Sequence, residues 1–369
     1  MKTTVAQRYQ FLRWEDGSTI VKLPFDNIEE THGAPYYLVH RADLHAALLS
    51  AAQRAGVAVH TGKQVVSYDF AAPSATTQAG EVFRADLVIA ADGIKSTARS
   101  LLTGQPDAPR DTGDVAYRIL IPGAQLRADP ELASLITDPC ATSWCGPGAH
   151  LVGYPIRGGE LYNLVVCETV SAPRNENEST DRGEEAWVVP GDDRALQARF
   201  AGWEPRVRKL CALTGDGFMK WRLCDLGDLA RWAHPGGRAA LLGDSCHPML
   251  PYLAQGAAQS FEDAAALRRC LALEEADLGG ALRRYEAARM PRASLVQAKT
   301  REHQYILHIE DGEEQRARDR LLQLNAAENP VFWGHDERRE WLFGHDAELL
   351  GTEGANWQAA PQQDGVTAH

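Results

Sequence analysis

The sequence predicts an α/β protein in which pieces of a Rossmann-like sheet flank a β-rich block. Two near-continuous apolar runs, ADLVIAA at 85–91 and RAALL at 238–242, each end in a Gly/Asp turn and lead into a helical pattern. Buried parallel strands read this way. Between them, from about Arg110 to Asp225, short alternating segments and turns replace the helical texture. No GxGxxG occurs anywhere in the chain. The first strand–turn–helix unit of such a sheet is therefore not in the pattern, and the nucleotide-type domain is expected to be truncated.

Composition narrows the function classes. With 369 residues, 44% of them hydrophobic, the chain can bury cores for two domains. A net charge of −12 without a long basic run argues against a nucleic-acid partner. The seven cysteines are scattered, with no CxxC pair, and are expected as reduced thiols; no metal site is expected. There is no apolar run of membrane-spanning length and no signal-peptide core at the N-terminus, so a cytoplasmic location is expected.

Taken in order, Tyr9 to Leu23 alternates on both sides of Asp16-Gly17, a hairpin pattern. Apolar positions Leu44, Ala47, Leu48 and Ala51 then follow a helical period, with Asp43 as N-cap and Gly56 as stop. Val57 and Val59 should begin a strand. Val65 to Phe70 and Glu81 to Phe83 read as strands, followed by the apolar run ending at Asp92-Gly93. Within the β-rich block, SAPRNENESTDRGEE has no apolar periodicity and is assigned no structure. Near the C-terminus a helix should end at Pro291 and another run from Ala293 to His308, before a loose tail from Gly351. The expected division is 1–109 (hairpin and partial nucleotide domain), 110–225 (β-rich), 226–350 (second part and C-terminal helices) and 351–369 (tail).

The stretch that organises these pieces is GRAALLGDSCHPMLPYLAQGAAQSFEDAAALRR, from Gly237 to Arg269. Asp244 ends a strand at the edge where open α/β sheets bind ligands. Past Pro248 and Pro251, residues Gln255, Gly256, Ala257 and Ala258 open a helix with small side chains. Its free N–H groups and positive dipole end suit an electron-rich planar ligand.

This string resembles the second FAD-binding motif of the class A flavoprotein aromatic monooxygenases, nearest the salicylate-hydroxylase-like branch. YLVHRADLHAALL and ADLVIAADGIKSTAR resemble two further segments of the same family. The resemblance runs from about Tyr9 to Glu348 and departs where the family has its GxGxxG unit. It implies FAD and NAD(P)H as cofactors, O2 as co-substrate and hydroxylation of a phenol-like aromatic small molecule. The carried-over cofactor positions are Arg41 for the pyrophosphate region, Asp92 and Gly93 of the DG motif (with Ser96 and Arg99 beside them), and Asp244, Gln255, Gly256 and Ala257. The backbone around Pro251 would lie at the reacting edge of the flavin. In the β-rich block, Tyr117-Arg118, Trp144, Tyr154-Pro155 and Asn163 match recurring positions and are equally open to a packing role. The rival reading is an inactive truncated homologue serving as a binding or interaction protein. Without the GxGxxG unit, FAD binding is expected to be weak.

Overall fold

The structure, a computed structural model, describes residues 1–105, 109–170, 187–215 and 217–350. The SAPRNENESTDRGEE stretch and the tail from Gly351 lie outside the described residues.

Alternating sequence becomes one large sheet. Its order is Val188–Pro190, Met219–Asp225, Arg110–Pro122, Leu161–Thr169, Ala149–Ile156, Cys140–Gly146, Arg8–Arg13 and Thr19–Pro24. Neighbours are antiparallel except at one seam, where Arg8–Arg13 runs parallel to Cys140–Gly146. The Asp16-Gly17 hairpin thus forms as expected, but its sheet neighbour is Cys140–Gly146 of the β-rich block.

Strand alternation gives this sheet two unlike faces. Val115, Tyr117, Ile119, Trp144, Leu151, Tyr162, Leu164 and Val166 pack on the back against Leu196, Phe200, Val207 and Leu210. These last come from the helices Asp193–Arg199 and Pro205–Ala212. The front face carries Asp114, Ala116, Arg118, Asn163, Val165, His150, Val152 and Tyr154. Along Leu161–Val166 burial alternates between partial and complete. The front is therefore only partly covered, which leaves room for a ligand.

The second core is the nucleotide-type part. Ala239–Leu241 pairs in parallel with Val88–Ala90, and both pack against the helices Gly256–Leu273 and Leu278–Leu307 through Ala266, Leu267, Leu282 and Tyr285. A three-stranded antiparallel sheet of Val65–Asp69, Ser74–Thr77 and Val82–Arg84 flanks it.

Three local expectations are corrected. Val57 and Val59 form no strand and stay 54% and 42% exposed, because an extended segment without a pairing neighbour gains no ladder bonds. Asp43 does not cap the helix Arg41–Arg54, whose N-cap is His40. Its carboxylate instead takes both arms of Arg157, which hold it well below the usual carboxylate range. Pro291 does not end a helix: Leu278–Leu307 is continuous through it. The ring removes one N–H, yet Arg289 and Arg292 on either side are both clamped by Glu262.

Candidate active site

The two acidic turns are brought together. In the parallel pair, Leu241 lies opposite Ala90, so the chain enters the Asp92 and Asp244 turns from the same edge. The turns are laced by Leu242 N–H to Ala90 O (3.0 Å), Ser245 Oγ to Ala90 O (2.8 Å) and Arg99 Nη1 to Ser245 O (3.0 Å). Arg99, 1% exposed, also donates to Ile94 O at 2.7 Å. It is a tie between loops.

Asp92 is spent on its own turn. It accepts from Ser96 Oγ (2.6 Å), Thr97 N–H (3.0 Å) and Ala98 N–H (3.1 Å). These are orphan donors at the start of the helix Thr97–Thr103. Gly93 turns the chain with φ +79, a conformation that Gly adopts without strain. Asp92 and Gly93 therefore shape the wall of the site, and Asp92 has little left to offer a ligand.

Asp244 is the opposite case. Gly243 takes φ +66, and a Cβ there would meet Ser260 Oγ at 2.9 Å. Its N–H donates to Asp263 Oδ2 at 3.0 Å. The turn so fixed leaves Asp244 open to solvent with no hydrogen bond among the described residues. Crowding by protein raises its carboxyl above the ordinary value, opposed by the charges of His247 and Arg41. A carboxylate that solvent reaches but protein surrounds lies in a recess.

Below the turn is a buried polar network that sequence reasoning missed. Asp263 also accepts from His247 Nε2 (2.6 Å) and Arg289 Nε (2.9 Å), and Arg289 reaches Gln259 Oε1 (2.7 Å). Arg292 binds Glu262 at 2.7 Å. Asp263 and Arg289 are 0% and 1% exposed. Cys246, His247 and Asp263 have ligand atoms within 4.8 Å of one another. However, Asp263 has given its lone pairs to three donors, one of them a guanidinium, so the trio builds the turn and is no metal centre. The signal in the sequence was the acidic pair Glu262-Asp263 early in an alanine-rich helix, with Arg at 289 and 292 on the next.

The helix start meets expectation in its reachable first turn but not at Gln255. Pro251–Leu253 is a 3₁₀ turn ended by Ala254 at φ +54. Gln255 occupies the N-cap of Gly256–Leu273, is buried, and uses its Oε1 on Gln259 at 3.3 Å. Gln255 therefore sets the turn with its amide turned inward. Ala257 is exposed, and a Cβ on Gly256 would meet only Met249 Cγ at 3.8 Å. The helix N-terminus is accessible at its first turn, where N–H groups have no intrahelical acceptor.

Arg41 opens the helix Arg41–Arg54 and is exposed, with no hydrogen bond or ion pair among the described residues. Its charge acts on Asp244, Arg118 and Tyr154, which places all four in one neighbourhood. Arg118 is likewise unpaired. Burial, then Arg41, lowers its guanidinium below the ordinary value. Asn163 Nδ2 is buried with no partner. Asn163 pairs with Tyr154 on one side and Leu120 on the other, one step of the front face beyond Arg118. Tyr117 and Trp144 face the back, bonded to Glu168 (2.7 Å) and Glu204 (2.6 Å), and are packing residues.

The Pro251 loop closes over the other end of this face. Tyr252 donates to Asp114 and its ring meets that of His150 edge-on, with centroids 5.2 Å apart. His150 Nδ1 lies 2.7 Å from His308 Nε2. Burial holds both imidazoles below their ordinary value, so both are neutral.

Comparison with known proteins decides the family. The chain is 37% identical over 353 residues to the FAD-dependent monooxygenase OpS4 of Beauveria bassiana, covering 91% of this chain and 78% of that one. The chain belongs to the FAD-dependent aromatic monooxygenases. It is also 34% identical to 3-amino-4-hydroxybenzoate 2-monooxygenase PtnB3 of Streptomyces platensis (95% and 82% covered). A solved salicylate hydroxylase substrate complex superposes with TM-score 0.72 at 25% identity, covering 96% of this chain and 84% of that one. CtdE in complex with FAD and a substrate shares the fold, with TM-score 0.74 at 22% identity over 95% of this chain and 80% of that one. No family model matches. This monooxygenase is thus an FAD-dependent oxidoreductase, and no helix among its described residues is long and apolar enough to cross a membrane.

Among the described residues Asp244 and Arg41 have no hydrogen-bond partner and the Gly256–Ala257 helix start is accessible. An acceptor, a cation and a dipole end so disposed are compatible in chemistry with a flavin nucleotide.

Proposed function

We propose that this chain hydroxylates a phenol-type aromatic small molecule bearing an anionic substituent, using FAD, NAD(P)H and O2. FAD supplies the redox and oxygen-activating chemistry when bound. Asp244 accepts from its ribityl hydroxyls and Arg41 meets its phosphates. The Gly256–Ala257 N–H groups stabilise negative charge on the ring, and the Pro251 backbone borders its reacting edge.

The observation that carries the substrate class is the front of the large sheet. Arg118, Tyr154 and Asn163 present a guanidinium and an amide without partners among the described residues, and a phenol, around the small side chains Val152 and Val165. In a chain of net charge −12, an unpaired, partly desolvated arginine calls for an anion. On the same face stands His150, two residues from Val152 along its strand (roughly 7 Å) and two strands across from Arg118, and its Nε2 makes no hydrogen bond among the described residues. A ring held by its anionic group at Arg118 would present a phenol hydroxyl to His150, which takes the proton and raises the ring's electron density for hydroxylation. The named activities of the relatives on aminohydroxybenzoate and hydroxybenzoate support this reading.

The test is to saturate the chain with FAD, supply NADH or NADPH and ¹⁸O2, and offer a panel of hydroxybenzoates with their non-hydroxylated counterparts. One labelled oxygen should enter only ring-hydroxylated acids. Reductant consumption with no labelled product from any of them would overturn the substrate assignment.

A further inference from the structure

The chain of hydrogen bonds behind His150 has a fixed direction, and that direction follows from one carboxylate. As a carboxylate, Asp114 can only accept. Its Oδ2 takes the Tyr252 hydroxyl and its Oδ1 takes the Thr169 hydroxyl at 2.7 Å. Thr169 has one proton and has given it to Asp114. The 2.9 Å contact between Thr169 Oγ1 and His308 Nδ1 must then carry a proton from the imidazole. With Nδ1 protonated, neutral His308 has a bare Nε2. The 2.7 Å contact from His150 Nδ1 to that atom is therefore an N–H donated by His150. A neutral His150 with its proton on Nδ1 has its lone pair on Nε2.

We infer that Asp114, acting through Thr169 and His308, is a positioning residue that locks His150 into the tautomer whose Nε2 is a base. The inference rests on the reading of His150 as proton acceptor. It deepens that reading by saying why the imidazole is not in the other, useless form. The elements come from far apart in the chain: Asp114 from the strand Arg110–Pro122, Thr169 from Leu161–Thr169, and His308 from the end of the helix Leu278–Leu307. Asp114 and Thr169 are cross-strand partners. Asp114 is 1% exposed, His150 2% and His308 8%. The carboxylate also lies 3.6 Å from His308 Nδ1, so it favours the arrangement that keeps positive N–H density beside it. Because Tyr252 closes the same carboxylate, the loop after Pro251 and the His150 tautomer share one anchor.

Asp114→Asn tests the direction of the chain. The amide would accept from Tyr252 and donate to Thr169. Thr169 would then donate to His308 Nδ1, His308 Nε2–H would donate to His150 Nδ1, and the His150 proton would move to Nε2. The readout is the ¹⁵N and ring-¹H correlation spectrum of histidine-labelled protein, with the two signals assigned by their loss in His150→Gln and His308→Gln. It needs no FAD, reductant or substrate, so a failed hydroxylation assay leaves it intact. The wild-type chain should show both histidines with protonated Nδ1 and bare Nε2, and Asp114→Asn should exchange the two signatures. Thr169→Val, which cuts the link but keeps the carboxylate 3.6 Å from His308 Nδ1, should weaken without reversing the preference for protonated Nδ1 at both histidines and serves if Asp114→Asn does not fold. Protonated Nε2 on His150 in the wild type, or wild-type tautomers in both variants, would overturn the inference.

Discussion

Asp92 and Asp244 follow adjacent parallel strands, yet the first accepts hydrogen bonds from Ser96, Thr97 and Ala98 while the second accepts none among the described residues. The difference separates their mutants. Asp244→Ala should weaken FAD binding by about 1.5–3 kcal/mol, the range for hydrogen bonds to charged groups, with the urea midpoint of the apo chain unchanged. Asp92→Ala should lower apo stability by about 0.5–2 kcal/mol, as loss of a helix cap does. Flavin fluorescence titration and urea unfolding of both variants decide between the roles, and a matching pattern in the two would show that the carboxylates are not distinct.

Tyr117 and Arg118 are sequence neighbours on opposite faces of one strand. Arg118→Met should weaken binding of an anionic phenol by about 1.5–3 kcal/mol in calorimetric titration with FAD present. Tyr117→Phe loses only its bond to Glu168, and its cost of about 1 kcal/mol should fall on stability. Unaltered affinity in Arg118→Met would remove Arg118 from the substrate site.

These neighbours also mark how far the sequence could be read. Runs such as ADLVIAA and RAALL announce strands, but full burial holds only for the second. Ala239–Leu241 is buried throughout, whereas Val88 and Ile89 stay half-buried, so the expected covered strand at 85–91 is corrected to a short, partly open one. Asp244, Arg41 and the Gly256–Ala257 helix start were legible as accessible groups at element ends for a local reason: each lies within a few residues of the element that presents it. Asp114, Thr169, His150 and His308 were not. Their meaning arises when strands and a helix far apart in sequence meet, and no local pattern marks a histidine that will face another. Asp92 was legible as a motif but its use was not, since only geometry reveals which donors consume a carboxylate. Pro291 misled because its cost is local, whereas the Arg289 and Arg292 contacts that offset it are tertiary.

The network under Asp244 should be a point of fragility. Arg289→Met leaves the buried Asp263 without its guanidinium while Glu262 keeps Arg292, and breaking such a buried pair costs about 3–5 kcal/mol. Differential scanning calorimetry should show a lowered, broadened transition. A variant within about 0.5 kcal/mol of wild type would mean that the network is dispensable.

His303 supplies an acid-sensitive contact. Its Nδ1 donates to Lys299 O (2.7 Å) and its Nε2 accepts from Phe332 N–H (3.1 Å), and burial lowers its pKa to about 4. The unfolded chain takes up this proton near pH 6.5 and the folded chain does not until about pH 4. Stability therefore rises with pH across that window and is lost as pH falls through it. His303→Gln, which can keep both bonds, should flatten the loss between pH 7 and 5 by up to about 2 kcal/mol. Parallel urea stabilities of the two proteins at both pH values would show that His303 does not titrate on unfolding.

The parallel seam between Arg8–Arg13 and Cys140–Gly146 imposes an order of events during synthesis. Gln10 bonds to Thr142, a residue 132 positions later. At roughly 5–20 residues per second, the opening hairpin leaves the ribosome many seconds before its partner strand exists. Through that interval Tyr9 and Phe11 lack Trp333, which they will meet from still further along, and one ladder edge stands open. The hairpin is thus a vulnerable part of the nascent chain, and a trigger-factor-type chaperone should crosslink to it until the strand ending at Gly146 emerges.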